Sequence, residues 1–430
     1  MKVLWFSLSP CGSMRRKGGK PTNGSWLIAL EDALKKESGI ELSVAYFTNE
    51  EKVPFTYDGV KYYPMYLPND KNPVMRVIQR FSSEKRRDNK MLPIMLDVVR
   101  QSNPDLIHIH GTEGRFGLIQ DYINDTPIVY SIQGLLSPYK KKYFAGIPQN
   151  VAERFDLLYD KLRGLSVRRD FRSLCFRAQR ECVFLQHANY ILGRTFWDRD
   201  ITLGLNPNRK YFVADEVLRH SFYKCQWQKN SFEGRKLILI TTISGAIYKG
   251  FETLLESAHL MKKYSGIDFE WRVIGYEGNN KFVRMATRMT KIKTSDVNIH
   301  FLGRLNEEEL ASNLCEADIY VHTSHIENSP NSVCEAMLVG MPVVASYAGG
   351  TASLLNDGVE GLLYQDGDPY VLAGRIVYLY NHYEQAKIMG NAARKRALMR
   401  HDSKRISGEL IKTYYEIARL YDENQDTCSM

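Results

Sequence analysis

Two glutamates, Glu327 and Glu335, stand in the string "SHIENSPNSVCEAMLVGMPVVAS" with seven residues between them. Ser329, Pro330 and Asn331 are cap and first-turn residue types, and Val333, Ala336, Met337 and Val339 follow at helical spacing. A helix start offers unused N–H groups, about Asn331, Ser332 and Val333 here, and the positive end of a dipole. Both suit a diphosphate. A carboxylate one turn into such a helix is placed for ribose hydroxyls, although Glu335 alone could equally serve the helix dipole and Glu327 the solvent. Lys249–Gly250 sets a cation at a turn just before a second helical pattern, and Gly349–Gly350 permits positive φ and close backbone approach. "PCGSMRRKGGKPTNGSWLIALEDAL" is a glycine-rich loop carrying Gly18 and Gly19 beside Arg15, Arg16, Lys17 and Lys20, but it lacks the G-x-x-x-x-G-K-[ST] phosphate loop. His108 and His110 alternate on one strand and face the same way; with no third ligand type placed nearby, no metal site is expected.

Short apolar runs, each followed by helical periodicity, must position these residues. The runs are Val3–Ser7, Leu42–Phe47, Leu106–His110, Ile128–Ile132 and Tyr190–Gly193, then Leu237–Ile243, Trp271–Ile274, Ile299–Leu302, Ile319–Thr323, Val343–Ser346 and Gly361–Tyr364. Strands buried on both faces and separated by helix-sized gaps predict parallel sheets, and two such series predict two Rossmann-like α/β domains. A break in the alternation near Val213–Trp227 puts the boundary between residues 1–215 and 216–402. The loops that follow the strands, at whose carboxyl ends doubly wound sheets bind ligands, are therefore where the chemistry is expected.

Composition limits the remaining choices. With 44% hydrophobic and 25% charged residues the chain is neither disordered nor low-complexity, and no apolar run approaches the length of a membrane span. Seven scattered cysteines without a C-x-x-C pair predict a reducing, cytoplasmic setting rather than a disulfide framework. Residues 1–215 hold 33 basic against 23 acidic side chains, a net +10, whereas residues 216–430 carry −1. The basic excess is densest in "RGLSVRRDFRSLCFRAQREC", which reads equally as solvated helix faces or as a footprint for phosphates on an anionic lipid surface or a lipid diphosphate. Nucleic acid is not expected, since zinc-finger, helix-turn-helix and RNP patterns are missing.

"ADIYVHTSHIENSPNSVCEAMLVGMPVVAS", together with "NIHFLGRLNEEELASNLCEAD", "GLLYQDGDPYVLAGRIVYLYN" and "MGNAARKRALMRHDSKRISGELIKTYYEIARLY", resembles the retaining glycosyltransferases of family 4, the glycosyl transferases group 1. The resemblance runs over residues 236–421 and more weakly over 1–215. It implies the GT-B fold: two Rossmann-like doubly wound parallel-sheet domains facing across a cleft, the first on the acceptor side and the second binding the nucleotide-sugar donor, with a C-terminal helix (403–421) packing back towards the first. It also assigns roles. Glu335 would hold the donor ribose and Glu327 would lie by the donor sugar. Lys249 would contact the diphosphate, and the helix-start amides would meet the phosphates. Gly349 and Gly350 would lie beside the sugar, and Gly18 and Gly19 would approach the donor phosphate and the acceptor, with Arg15, Arg16, Lys17 and Lys20 turned towards the acceptor. His110 would face the cleft. Two positions depart from the pattern: Ser244 stands where an Arg is usual and Gln133 where many relatives have a His. A Gln can donate a hydrogen bond but cannot carry a proton.

The implied reaction is retaining transfer of a hexosyl unit from a UDP- or GDP-sugar to a glycan or polyprenyl-diphosphate-linked saccharide in surface polysaccharide biosynthesis. No cofactor and no metal are expected, and the nucleotide sugar is a substrate. The chain is expected in the cytoplasm or on the inner face of the membrane. A sugar-nucleotide epimerase on the same fold, or a non-catalytic nucleotide-sugar-binding module, are the alternatives. A phosphorylase is not signalled, because no Schiff-base Lys stands out.

Overall fold

The computed structural model describes residues 1–17, 25–50, 52–68, 72, 75, 77 and 84–428. The chain forms two units: one of residues 1–137, 159–217 and 401–430, the other of residues 138–158 and 218–400. Gly18 and Gly19, with Lys20, lie outside the described residues.

The first unit is built on eight strands in the order β3-β4-β2-β1-β5-β6-β7-β8. They are β1 (Lys2–Phe6), β2 (Glu41–Thr48), β3 (Phe55–Tyr57), β4 (Val60–Tyr66), β5 (Leu106–His110), β6 (Ile128–Ser131), β7 (Tyr190–Gly193) and β8 (Lys210–Val213). All pairings are parallel except β3 with β4. The runs of β1, β5, β6 and β7 are buried almost throughout because helices cover both faces of the sheet. On one face, Val3, Trp5, Leu27 and Leu34 pack with Leu410, Tyr414 and Ile417. The C-terminal helix Ser403–Cys428 that supplies those last three belongs to this unit. Its Tyr414 hydroxyl accepts a hydrogen bond from Trp5 Nε1 at 3.0 Å.

The second unit has six parallel strands in the order β11-β10-β9-β12-β13-β14. They are β9 (Leu237–Thr242), β10 (Phe269–Ile274), β11 (Ile299–Gly303), β12 (Ile319–His322), β13 (Val343–Tyr347) and β14 (Leu362–Gln365). The strand order reverses between β9 and β12, both of which end at candidate site loops, so the site lies at the topological switch point.

Residues 138–158 leave the first sheet's sequence series and join the second unit, where a division at 215/216 had left them in the first. Three contacts hold them there. The Tyr139 ring stacks on Tyr248 at 5.4 Å, Lys142 Nζ donates to Asp366 at 2.6 Å, and Lys281 Nζ donates to the buried Asp156 at 2.6 Å. The chain crosses to the second unit at Leu218 and returns at His401.

Candidate nucleotide-sugar site

Three loops of the second unit converge on Glu327. The first begins at β9 and ends in the turn Ile247–Lys249, after which Gly250 adopts φ 72° and the helix Phe251–Tyr264 starts. A Cβ on Gly250 would fall on the carbonyl oxygen of Thr323, so only glycine lets this turn dock on the loop after β12. The docking is completed by Thr323 Oγ1, which donates to the Lys249 carbonyl at 3.0 Å, and by the His325 amide, which donates to the Tyr248 carbonyl at 2.7 Å. Held in this way, Lys249 Nζ donates to Glu327 Oε1.

The third loop follows β13. Gly349 has φ 57°, and a Cβ there would strike the Glu327 carbonyl, to which the Gly350 amide donates at 2.9 Å. Lys249, Glu327, Gly349 and Gly350, widely separated in sequence, therefore form one contact set.

The electrostatics follow from burial and this pairing. Glu327 is 8% exposed, which by itself would raise its pKa. The Lys249 ammonium and the nearby His322 ring overcome that effect and hold the carboxyl down at about 2. Burial pulls Lys249 down in turn, but the Glu327 and Tyr248 partners win and its pKa is raised. The pair is charged at neutral pH.

Glu335 lies in the helix Asn331–Val339, buried at 5% exposure. Its Oε1 accepts from Arg219 Nε at 3.0 Å and from Nη2 at 2.6 Å. Burial and the Glu307 carboxylate raise its pKa, and Arg219 opposes them. Arg219 is the N-cap of the short helix His220–Lys224, whose Ser221 amide donates to Glu307 at 2.9 Å. Sequence reasoning missed Arg219 because it sits 116 positions from its partner, in a segment read only as a break between domains.

The helix start needs one correction. Pro330 is the N-cap and supplies no side-chain hydrogen bond, and the Val333 amide turns back to the Pro330 carbonyl at 3.0 Å. Its N–H is already committed to a tight first turn, which leaves Asn331 and Ser332 as the first-turn amides for an anion. Ser244, the position lacking the usual Arg, is exposed, and its carbonyl accepts from the Tyr276 hydroxyl at 2.6 Å.

Behind the Lys249–Glu327 pair lies an ionic chain that the sequence did not signal. His325 Nδ1 meets Asp366 Oδ1 at 2.5 Å and Nε2 meets Glu252 Oε1 at 2.6 Å, while Lys142 reaches the other oxygen of Asp366. Burial would lower the pKa of His325, but the two carboxylates raise it to about 9, so both ring nitrogens donate. Gly146 closes over this group, since a Cβ there would fall on Glu252 and His325. A cavity of about 350 Å³ adjoins it, lined by Lys142, Gly146, Glu252, Glu256, His325 and Asp366.

The remaining candidates belong to the first unit. His110 is 2% exposed and stacks edge-on against Trp5 at 4.4 Å, and burial together with His108 and Arg194 pushes its pKa well below the imidazole range. It is an interior neutral imidazole and not an open surface base. His108 shares its face as expected, with ring centroids 3.8 Å apart, and is engaged by Tyr414 and Ser131. Gln133 is partly buried, near Gly111 and Glu113 at the ends of β5 and β6. Beside the glycine-rich loop, Glu31 of the helix Ser25–Leu34 accepts from the Gly12 amide at 2.9 Å and from the Tyr62 hydroxyl at 2.7 Å. Arg15 is engaged by Asp32 through two hydrogen bonds of 2.9 and 2.8 Å, which accounts for its charge locally, and Arg16 lies over the Phe55 ring.

The two parallel-sheet α/β units have the GT-B fold. Sucrose-phosphate synthase from Thermosynechococcus elongatus superposes with a TM-score of 0.69 at 14% identity, covering 97% of this chain and 98% of that one. HepE of Anabaena, solved in complex with UDP and glucose, superposes with a TM-score of 0.64 at 18% identity, covering 96% and 99%. Residues 225–396 match the family of glycosyl transferases group 1, and membership of that family is supported through the second unit. Among curated relatives, the amylovoran biosynthesis glycosyltransferase AmsK of Erwinia amylovora is 32% identical over 139 residues, 30% of this chain and 33% of its own. An uncharacterised glycosyltransferase of Methanocaldococcus jannaschii is 28% identical over 178 residues, 41% of this chain and 46% of its own. The matched stretch thus spans a third to just under half the length of these two relatives.

Proposed function

We propose that the protein is a retaining, metal-independent hexosyltransferase that uses a UDP- or GDP-sugar and acts on a hydroxyl of a glycan or lipid-linked saccharide in surface polysaccharide biosynthesis. The observation that carries this reading is the contact set of Lys249, Glu327 and Gly349–Gly350 at the start of the helix bearing Glu335. A nucleoside diphosphate has three recognition needs there. The ribose hydroxyls find an acceptor in Glu335, whose anionic form Arg219 favours against burial. The diphosphate finds the Asn331 and Ser332 amides and the helix dipole. Lys249 stands ready to exchange its Glu327 partner for the growing charge on the leaving phosphate.

In a same-face displacement the departing phosphate oxygen takes the acceptor hydroxyl's proton while the bond from the anomeric carbon to the acceptor oxygen forms. The protein is asked for position and charge, not for a titrating base. The neutral, interior His110 and the non-titrating Gln133 are compatible with that demand. In this reading Glu327 accepts hydrogen bonds from the sugar and steadies the positive charge that develops on its ring. Names of relatives such as AmsK support the polysaccharide setting.

The test is nucleotide release from a panel of UDP- and GDP-sugars with and without added chelator. One base should support release, unaffected by the chelator and lost in Glu327→Gln. Release from none of the panel, or release that needs a divalent metal, would sink the reading.

A further inference from the structure

The helix Val167–His187 of the first unit has two faces. Val167, Leu174, Ala178, Glu181 and Leu185 are turned inward and buried, at helical spacing. On the opposite face Arg168, Arg172, Phe176, Gln179 and Val183 recur at the same spacing and are all exposed. Phe176 is 40% and Val183 43% exposed. The chain leading into this helix adds Tyr159 at 62%, Leu162 at 65% and Leu165 at 48%. Ser166 then caps the helix by accepting from the Arg169 amide, which fixes where the exposed face begins.

Single exposed apolar residues are ordinary, but five large ones in the stretch from Tyr159 to Val183 are not. The unit does not need them for its core, because Leu174, Ala178, Phe184 and Leu185 already fill the inner face. The charge on the strip is one-sided. Lys161, Arg163, Arg168, Arg169 and Arg172 accompany the apolar groups, against Asp160 and Asp170. Arg163 lies 4.8 Å over the Tyr159 ring and donates to its hydroxyl at 2.6 Å, leaving an aromatic with a cationic rim. Apolar side chains standing out among basic ones match the boundary between headgroups and acyl chains in an anionic bilayer. A second copy of this face would bring like charges together, and a purely electrostatic partner would leave the leucines unused.

We propose that this strip, Tyr159 to Val183, docks the protein on a membrane surface rich in anionic phospholipid, with Leu162, Leu165 and Phe176 entering the interface and Arg168 and Arg172 meeting lipid phosphates. The proposal deepens the transferase reading by placing its acceptor at a lipid surface, and it rests on that reading only for the acceptor. The docking itself is read without a transfer assay.

The experiment is co-sedimentation of the full chain with phosphatidylcholine vesicles, with and without phosphatidylglycerol, at low and high salt. Binding should require phosphatidylglycerol and weaken with salt. Arg168→Gln with Arg172→Gln should weaken it about 25-fold, since each basic side chain at such a surface contributes a factor of about five. Leu162→Ser with Leu165→Ser should weaken it by at least about tenfold through lost apolar burial. Thermal midpoints of both double variants should match the parent, because the side chains are exposed. Failure of the parent to bind, equal binding to neutral vesicles, or unchanged binding by both variants would overturn the proposal. So would self-association in ultracentrifugation that only the leucine variant loses while the parent ignores vesicles. Failure of the transferase reading shows separately, as a missing UDP or GDP stabilisation with vesicle binding intact.

Discussion

Arg219 places both Nε and Nη2 on a single oxygen of Glu335, at 3.0 and 2.6 Å. Burial raises the pKa of the Glu335 carboxyl, and the Arg219 guanidinium opposes that rise and so favours the anion. Arg219→Met should therefore resemble Glu335→Gln in nucleotide binding although it need not touch the ligand. It should also cost about 1.5–3 kcal/mol of stability, the range for hydrogen bonds to a charged group. Urea unfolding and nucleotide titration on the two variants check this, and full nucleotide affinity in Arg219→Met would contradict it.

The two glycines that let the loops meet at Glu327 cannot accept a side chain. Gly250→Ala and Gly349→Ala each combine a positive φ with a collision against a carbonyl oxygen, of Thr323 and Glu327 respectively. Each should lose about 1–3 kcal/mol, with some of the strain shed by moving Lys249 or Glu327. Gly374→Ala is the matched comparison. It lies in the helix Pro369–Asn381 with open space around it, and should gain up to about 1 kcal/mol. Denaturant midpoints order the three.

His325 gives the second unit a defined alkaline limb. Its pKa is raised to about 9 by Glu252 and Asp366, so its contribution is fully present below the unfolded imidazole pKa and is lost as pH rises through about 9. The side chain is 4% exposed, so little solvent screening applies, and the contribution is on the order of 2–3 kcal/mol. His325→Gln should be less stable than the parent at pH 6 and should show a flatter decline towards pH 9. A parent profile flat from pH 6 to 9 would contradict the arrangement.

Lys249 has an acid counterpart. Glu327 is held at about 2, so the pair's contribution is present above the unfolded carboxyl pKa and disappears as pH falls through about 2. In Lys249→Met burial acts unopposed by the ammonium, and the loss of stability on acidification should begin at a higher pH. Turnover should fall by about 10²–10³, the usual effect of deleting one donor to transition-state charge. Stopped turnover with a parent-like acid profile would separate catalysis from this ion pair.

What could be read from the sequence was what is contiguous in it. The β5, β7 and β12 runs are short stretches rich in Ile, Leu, Val and Tyr, and the spacing of Glu327 and Glu335 marks a loop and the helix that follows. Strands β3, β4 and β8 were missed. β3 is only three residues long, β4 carries Pro64 and the polar Lys61, and β8 is only four residues of mixed exposure. Arg219, His325 with its two carboxylates, and residues 138–158 were missed for another reason. Their meaning lies in partners far along the chain, and each alone looks like an ordinary charged or loop residue. The Val333 amide was misassigned because spacing shows where a helix starts but not how tightly its first turn is wound.

The most direct test of the central claim is the thermal midpoint with UDP, GDP and ADP, on the parent and on Glu335→Gln. A nucleotide present at about 100 times its dissociation constant adds roughly 2.7 kcal/mol, which moves the midpoint by a few degrees. A shift with UDP or GDP alone, lost in the variant, is the predicted result. An undiminished shift in Glu335→Gln, or none with any nucleotide, would contradict the site.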